Sequence, residues 1–292
     1  MDLKIVNPDP KYPRASLIEP STSGYIHLAA EVSPRSGPLP VVARRSEKAE
    51  LLGRLVELAS RLERLDAVER TAVFEAVAIP PTPRFGSYLR ERAGSIRPAR
   101  FDVAVLVETG SPEAALRVQE NSEYFDLVGA LEAEDRYMHV TLARNAKRIG
   151  DVDHTRDGLF LFNYFVAEDA DVMLELWDYL AGWYEEETGL DNSVLLVPLE
   201  GQESNYVAIN HARWDVGLPR FLFMQLSKQS FRYYVLANME ANRVGAMPIL
   251  YRLADPRRRE YRPTNLRKLA VVLAAALALS LVLRRLRKRS GR

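Results

Sequence analysis

The chain is expected to be an α+β protein in which one β-α-β-β-α-β unit is used twice, followed by a basic linker and a short hydrophobic helix. Three observations carry that expectation. Strand-like and helix-like patterns recur in the same order before and after residue 150, Leu269 to Leu283 contains no charged residue, and basic residues gather at the C-terminus. At 292 residues the chain has room for two average domains or one duplicated unit. Its hydrophobic share of 47% and charged share of 27% are those of a folded chain rather than a disordered one.

Residues 1–24 hold Pro8, Pro10, Pro13 and Pro20 before Ser21-Thr-Ser-Gly24, which favours an irregular arm over a helix. The first unit is expected over residues 25–150. Tyr25 to Ser33 reads as a strand, and Pro34 to Pro40 as a loop. From a cap at Ser46, Leu51, Leu55, Leu58, Leu62 and Leu65 recur at spacings of four and three, an amphipathic helix with Glu50/Arg54 and Glu57/Arg61 as flanking pairs. Val68 to Ile79 reads as a strand stopped by Pro80-Pro81. After a long loop, Phe101, Val103, Val105 and Val107 alternate as a strand; Ser111-Pro112-Glu113 starts a helix, and Tyr137 to Ala143 closes the unit as a strand.

The second unit is expected over residues 151–254. Leu159 to Val166 reads as a strand, Asp169 as the cap of a helix with Val172, Leu176, Leu180 and Trp183 on one stripe, and Gly189 as its stop. Val194 to Leu199 and Tyr206 to Trp214 read as strands joined by Glu200 to Ser204. One helical region from Leu218 to Asn242 and a short strand from Pro248 to Leu253 complete the repeat.

Leu161-Phe-Asn-Tyr-Phe-Val166, a helix with Trp177, and Asn205-Tyr-Val-Ala-Ile-Asn-His-Ala-Arg-Trp-Asp215 together resemble the antibiotic biosynthesis monooxygenase-like domains over Leu159 to Leu253. Phe101 to Glu113 is similar at the matching place in the first half, with Val107 and Glu108 where the second half has Trp214 and Asp215. The resemblance implies duplicated ferredoxin-like units whose sheets close one dimeric-type α/β barrel within a single chain. That scaffold serves oxygenases, heme enzymes, isomerases and other proteins, so it leaves the activity open. It also implies candidate catalytic residues: some heme-degrading relatives use an Asn on the first strand with a Trp and a His in the same domain, which carries over as Asn163, Trp214 and His211. The relatives place that His on the second helix, whereas His211 falls on a strand. The cofactor is therefore either none or heme.

Strand parity divides these candidates, because positions 211 and 213 face one side while 210, 212 and 214 face the other. Either Asn163 and Trp214 line a working site, or Trp214 is core and Asn163 serves the sheet. Trp177, Tyr179, Trp183 and Tyr184 on one helix, and Phe160, Phe162, Tyr164 and Phe165 on one strand, either line a cavity for a small apolar ligand or fill a dense core. His27, His139 and His154 fit the core or surface better than a site. The four histidines have no ligand spacing, which speaks against a metal site, and no cysteine is present for a disulfide, thiolate site or thiol nucleophile. Walker loops, dinucleotide fingerprints and nucleophile elbows are absent from the sequence.

Asp255 to Arg292 carries 12 Lys or Arg against 2 acids, leaving 28 basic against 37 acidic residues before it. An acidic body speaks against a nucleic-acid partner. Residues 255–268 form a basic linker, 269–283 a hydrophobic anchor helix and 284–292 a basic tail. The anchor spans about 22 Å as a helix, or about 31 Å from Leu266 to Leu286 with its basic guards snorkelling, against a hydrocarbon core of roughly 30 Å. A single-pass anchor in a lipid bilayer is expected. No signal-like segment opens the sequence, so the main domain is expected on the cytoplasmic side, with self-association into a homo-oligomer left open.

Overall fold

The computed structural model describes residues 2–32, 46–80 and 87–254. The first unit runs β1 (Gly24–Glu31), α1 (Ser46–Leu62), β2 (Val68–Ala78), a short α2 (Ser87–Glu91), β3 (Val103–Thr109), α3 (Pro112–Val118), α4 (Ser122–Glu132) and β4 (Tyr137–Gly150). The second runs β5 (Leu159–Ala167), α5 (Ala170–Thr188), β6 (Ser193–Pro198), β7 (Ala208–Trp214), α6 (Leu218–Leu226), a π-helical stretch (Phe231–Leu236), α7 (Ala237–Ala241) and β8 (Val244–Leu253). The eight strands form a closed antiparallel barrel in the order β1-β3-β2-β8-β5-β7-β6-β4. Within each half the order is fourth, first, third, second strand. Two joins between the halves complete the ring, β2 with β8 and β4 with β6.

The helix starts obey their local chemistry. The Ser111 hydroxyl accepts from the Ala114 amide with Pro112 in the first turn. The Asp169 carboxylate accepts from the Asp171 and Val172 amides, and Gly189, at φ 69°, takes the left-handed turn that ends α5.

Three elements differ from the sequence expectation. The region expected as one helix over Leu218–Asn242 breaks after Leu226 and resumes through the π-helical stretch. The strands expected at 137–143 and 248–253 start or end several residues further out, because β4 extends to pair with β6 and β8 pairs with β5 from Val244 onward. The loop expected between Pro81 and Phe101 contains α2, whose Tyr88 and Leu89 are buried.

Strand parity sorts the core into layers. Phe74, Phe160, Phe162, Tyr164, Ile209 and Tyr251 point into the barrel and fill it. Ile26, Leu28, Val103, Val105 and Val107 point outward against α1, α3 and α4. Leu161, Asn163 and Phe165 point outward on the other half, toward α5 and the helices that follow it. At the rim of the first half, Lys48 of α1 reaches Asp102 at 2.8 Å, with the two side chains 1% and 2% exposed.

The N-terminal arm is bound rather than loose. Asn242 accepts from the Lys4 amide and donates to the Lys4 carbonyl, and Asn238 does the same for Val6, so two amides one helical turn apart hold alternate residues of an extended chain. The arm also crosses α5 at Gly182, where a Cβ would come within 1.7 Å of the Pro13 carbonyl oxygen. Among the described residues no helix is long and apolar enough to cross a membrane. The expected anchor at 269–283, its linker and its tail lie outside the described residues.

Candidate functional site

On the second half, β5, β6 and β7 turn their outward faces to α5 without closing fully on it. Leu161, Asn163 and Phe165 come from β5, Ser193 from β6, and Asn210 and Trp214 from β7. Facing them are Met173, Leu176, Trp177 and Leu180 of α5, while Val235 of the π-helical stretch and Met239 of α7 close one side. Between these groups lies a cavity of about 60 Å³. That is room for about four water molecules.

Its wall is apolar with a small set of oriented polar groups. The Trp177 indole N–H donates to Asn210 Oδ1 at 3.1 Å, and the Ser193 hydroxyl donates to the same oxygen at 2.7 Å. Trp214 Nε1 donates to the Thr188 hydroxyl at 3.0 Å. Burial holds the Tyr184 hydroxyl well above the usual tyrosine range, so it stays protonated while accepting from Gln225. Asn163, cross-strand from Asn210, is different: its Oδ1 is buried with no hydrogen-bond partner.

Asn163 and Trp214 therefore share one cavity, as their outward parity requires. His211 does not join them. It points through the other face of the sheet into the barrel, where its ring stacks on Phe162 at 4.1 Å between centroids. Its Nδ1 lies 2.9 Å from the Leu161 carbonyl and so carries the hydrogen, which leaves Nε2 to accept from His154 Nε2 at 2.8 Å. His27 and His139 also sit inside the barrel, so all four histidines of the sequence are interior groups. Burial lowers His27 and His211 to about 3 and His139 to about 4, and they are neutral at pH 7.

The sequence pattern does not single out Ser193 or Asn210, and it shows Trp177 only as one of an aromatic cluster. Asn210 is findable, since it shares its strand face with Trp214. Ser193 and the indole of Trp177 reach the cavity only through tertiary packing, which no local pattern reports. The aromatic residues expected either in a cavity or in a core divide accordingly: Phe160, Phe162 and Tyr164 fill the barrel, while Trp177 and Tyr184 line the cavity outside it.

No family model matches the chain, and neither does any curated protein. Among solved structures it is similar to an anthrone oxidase-like protein, with a TM-score of 0.54 at 12% identity over 82% of this chain and 94% of that one. It is also similar to a candidate monooxygenase from Fusobacterium nucleatum subsp. nucleatum ATCC 25586, with a TM-score of 0.50 at 8% identity over 80% and 94%. A heme-binding protein from Thermus thermophilus is less alike, with a TM-score of 0.42 at 10% identity over 83% and 95%. At these identities the likeness establishes the fold alone, an α+β closed barrel of the dimeric α/β type.

Proposed function

We propose that the second unit binds a small, largely apolar compound bearing one hydrogen-bond donor, on a barrel tethered to the cytoplasmic face of a membrane by residues 269–283. The observation that supports this reading is the buried, unpartnered Oδ1 of Asn163 in an otherwise apolar cavity. A buried unpaired acceptor costs about 1–3 kcal/mol, and a ligand hydroxyl donated to it offsets that cost. Trp177 and Met173 supply flat and adaptable apolar contact on the helix side. At about 60 Å³ the cavity is smaller than one that takes up a benzene-sized ring unaltered, so a single small ring enters only as Val235 and Met239 move outward.

An oxygenase acting on such a compound is the finer form of this reading, in keeping with the names of the similar structures. In that form Asn163 holds the substrate hydroxyl and Trp177 and Trp214 flank the ring, while His211, behind the sheet, takes no direct part. Heme does not fit the cavity: its volume is that of a few waters, and no histidine lines it.

A non-catalytic scaffold or sensor is the second reading, favoured by the side-chain-filled barrel interior. Ligand binding separates the two. Detergent-purified full-length protein, first checked by native mass spectrometry and absorbance for a co-purifying compound, is titrated with phenol and with toluene while tryptophan fluorescence is followed. Phenol is expected to bind about tenfold more tightly, the worth of one hydrogen bond, and Asn163→Leu is expected to remove the difference. Equal affinities in the unaltered protein, or no binding of either, would leave the scaffold reading standing.

A further inference from the structure

We infer that the outer face of α6 and the turn after it is a membrane-docking surface that seats the second unit on an anionic lipid leaflet. Seven large hydrophobic residues are exposed among the described residues, and two of them fall here, Phe223 at 58% and Leu226 at 42%; Tyr233, at 41%, stands on the π-helical stretch that follows, with its hydroxyl donating to Asp9 of the arm. Phe223 and Leu226, three positions apart, lie on one side of α6, opposite Leu218 and Phe221, which pack on Trp214 and Leu250. A helix that buries one stripe and exposes a second has an unpartnered apolar face.

Charge selects the occupant. The residues before Asp255 hold 28 basic against 37 acidic groups, yet Val216 to Met239 contains no acid at all and carries Arg220, Lys228 and Arg232, all exposed. Lys228 is partly neutralised by Glu187 at 2.8 Å. An apolar ridge flanked by cations on an otherwise acidic body is complementary to phosphate headgroups over acyl chains, since surface cations are drawn to an anionic leaflet while the apolar side chains enter its acyl boundary.

Chain geometry agrees. Trp214 pairs with Leu159 and Tyr251 with Phe160, so β7, which leads into α6, and β8, which leads to the C-terminal segment, end at the same rim of the barrel. The segment 269–283 and its basic flanks follow from that rim in sequence. The inference thus rests on the tether proposed above for proximity, while α6 sets which face meets the lipid. Docked this way, α6 holds one end of the cavity near the bilayer, through Gln225 on Tyr184 and Phe221 on Trp214. An apolar ligand would then enter from lipid rather than from water.

The absence of cysteine makes site-specific labelling clean. Phe223→Cys, Phe125→Cys on the exposed face of α4 and Ala275→Cys are each made in the full-length chain and labelled with an environment-sensitive fluorophore. The proteins are mixed with, or reconstituted into, vesicles of phosphatidylcholine and phosphatidylserine, and quenching by aqueous iodide is measured. Several-fold protection at 223, with none at 125, is the expected result. Protection at 275 but not at 223 would overturn the docking surface and leave the tether standing, whereas protection at neither would overturn both. Protection at 223 without vesicles, rising with protein concentration, would show an interface between copies of the chain and would equally overturn the inference. The ligand titration in detergent is independent of these outcomes.

Discussion

The two halves of the barrel share one strand order and differ in what they place between sheet and helices. In the first half, Ile26, Leu28, Val103, Val105 and Val107 meet Leu51, Leu55, Leu58 and Leu62 of α1 and Leu127 and Leu131 of α4, an aliphatic layer. At the corresponding layer of the second half stand Asn163, Ser193, Asn210, Trp177 and Trp214 around a cavity. The scaffold therefore folds with this layer fully apolar, and the polar groups of the second half are not demanded by the fold. A half-buried Asn whose amide oxygen is buried and unpartnered is retained at a cost in stability, and that cost points to recognition.

Acid is expected to have the largest effect, because it acts where the halves are not separate. The barrel interior takes His27 and His139 from the first half and His211 from the second, each lowered well beneath its unfolded value near 6.5. The unfolded chain takes up protons below about pH 6.5 while the folded interior refuses them until about 3 to 4. Stability must then fall with pH across that window, by about 1.4 kcal/mol per pH unit for each histidine. Denaturant unfolding followed by circular dichroism at stepped pH is expected to show one transition moving to lower denaturant. Two transitions would show that the halves melt separately.

Next in size is Lys48→Ala in the first half. It removes a buried cation from the Asp102 carboxylate, which keeps the Val32 amide as a donor, and is expected to cost about 3–5 kcal/mol. Unfolding midpoints measure it. At temperatures where the variant stays folded, its affinity for phenol should be unchanged, and a lost affinity would mean that the first half shapes the cavity.

The smallest effect has the opposite sign. Asn163→Leu makes the second half resemble the first by filling the cavity edge and removing an unpaired buried oxygen. It is expected to raise stability by about 1 kcal/mol, read from the shift in urea midpoint. Destabilisation would show that Asn163 serves the sheet after all.

Local chemistry explains what the sequence discloses. Alternation in Phe101–Val107 and Leu159–Val166, the caps at Ser111 and Asp169 and the stop at Gly189 are short-range signals, and parity alone separates His211 from Trp214. The extensions of β4 and β8 are not legible because the partners that stabilise them, β6 and β5, are chosen by barrel closure. The break after Leu226 is hidden for a related reason. Leu218, Phe221, Phe231, Tyr234 and Val235 are all apolar, and a periodic apolar pattern does not record where a helix changes its winding to meet α5. The cavity is half visible: Asn163 and Trp214 belong to strands whose faces can be assigned, whereas Ser193 and Trp177 arrive from elements whose placement depends on the whole fold.

The amide clamp on the N-terminal arm bears on the order in which the molecule is made. Lys4 and Val6 find their partners 238 and 232 positions further along the chain, at Asn242 and Asn238. On the ribosome the first residues to emerge must therefore wait until nearly the entire barrel has been synthesised before they have anywhere to bind. Contacts of such separation form late, after the loop-closure cost has been met by the strands between them. The arm is a late latch on the second unit, so its docking reports that synthesis has passed Asn242 and that the helices walling the cavity are in place.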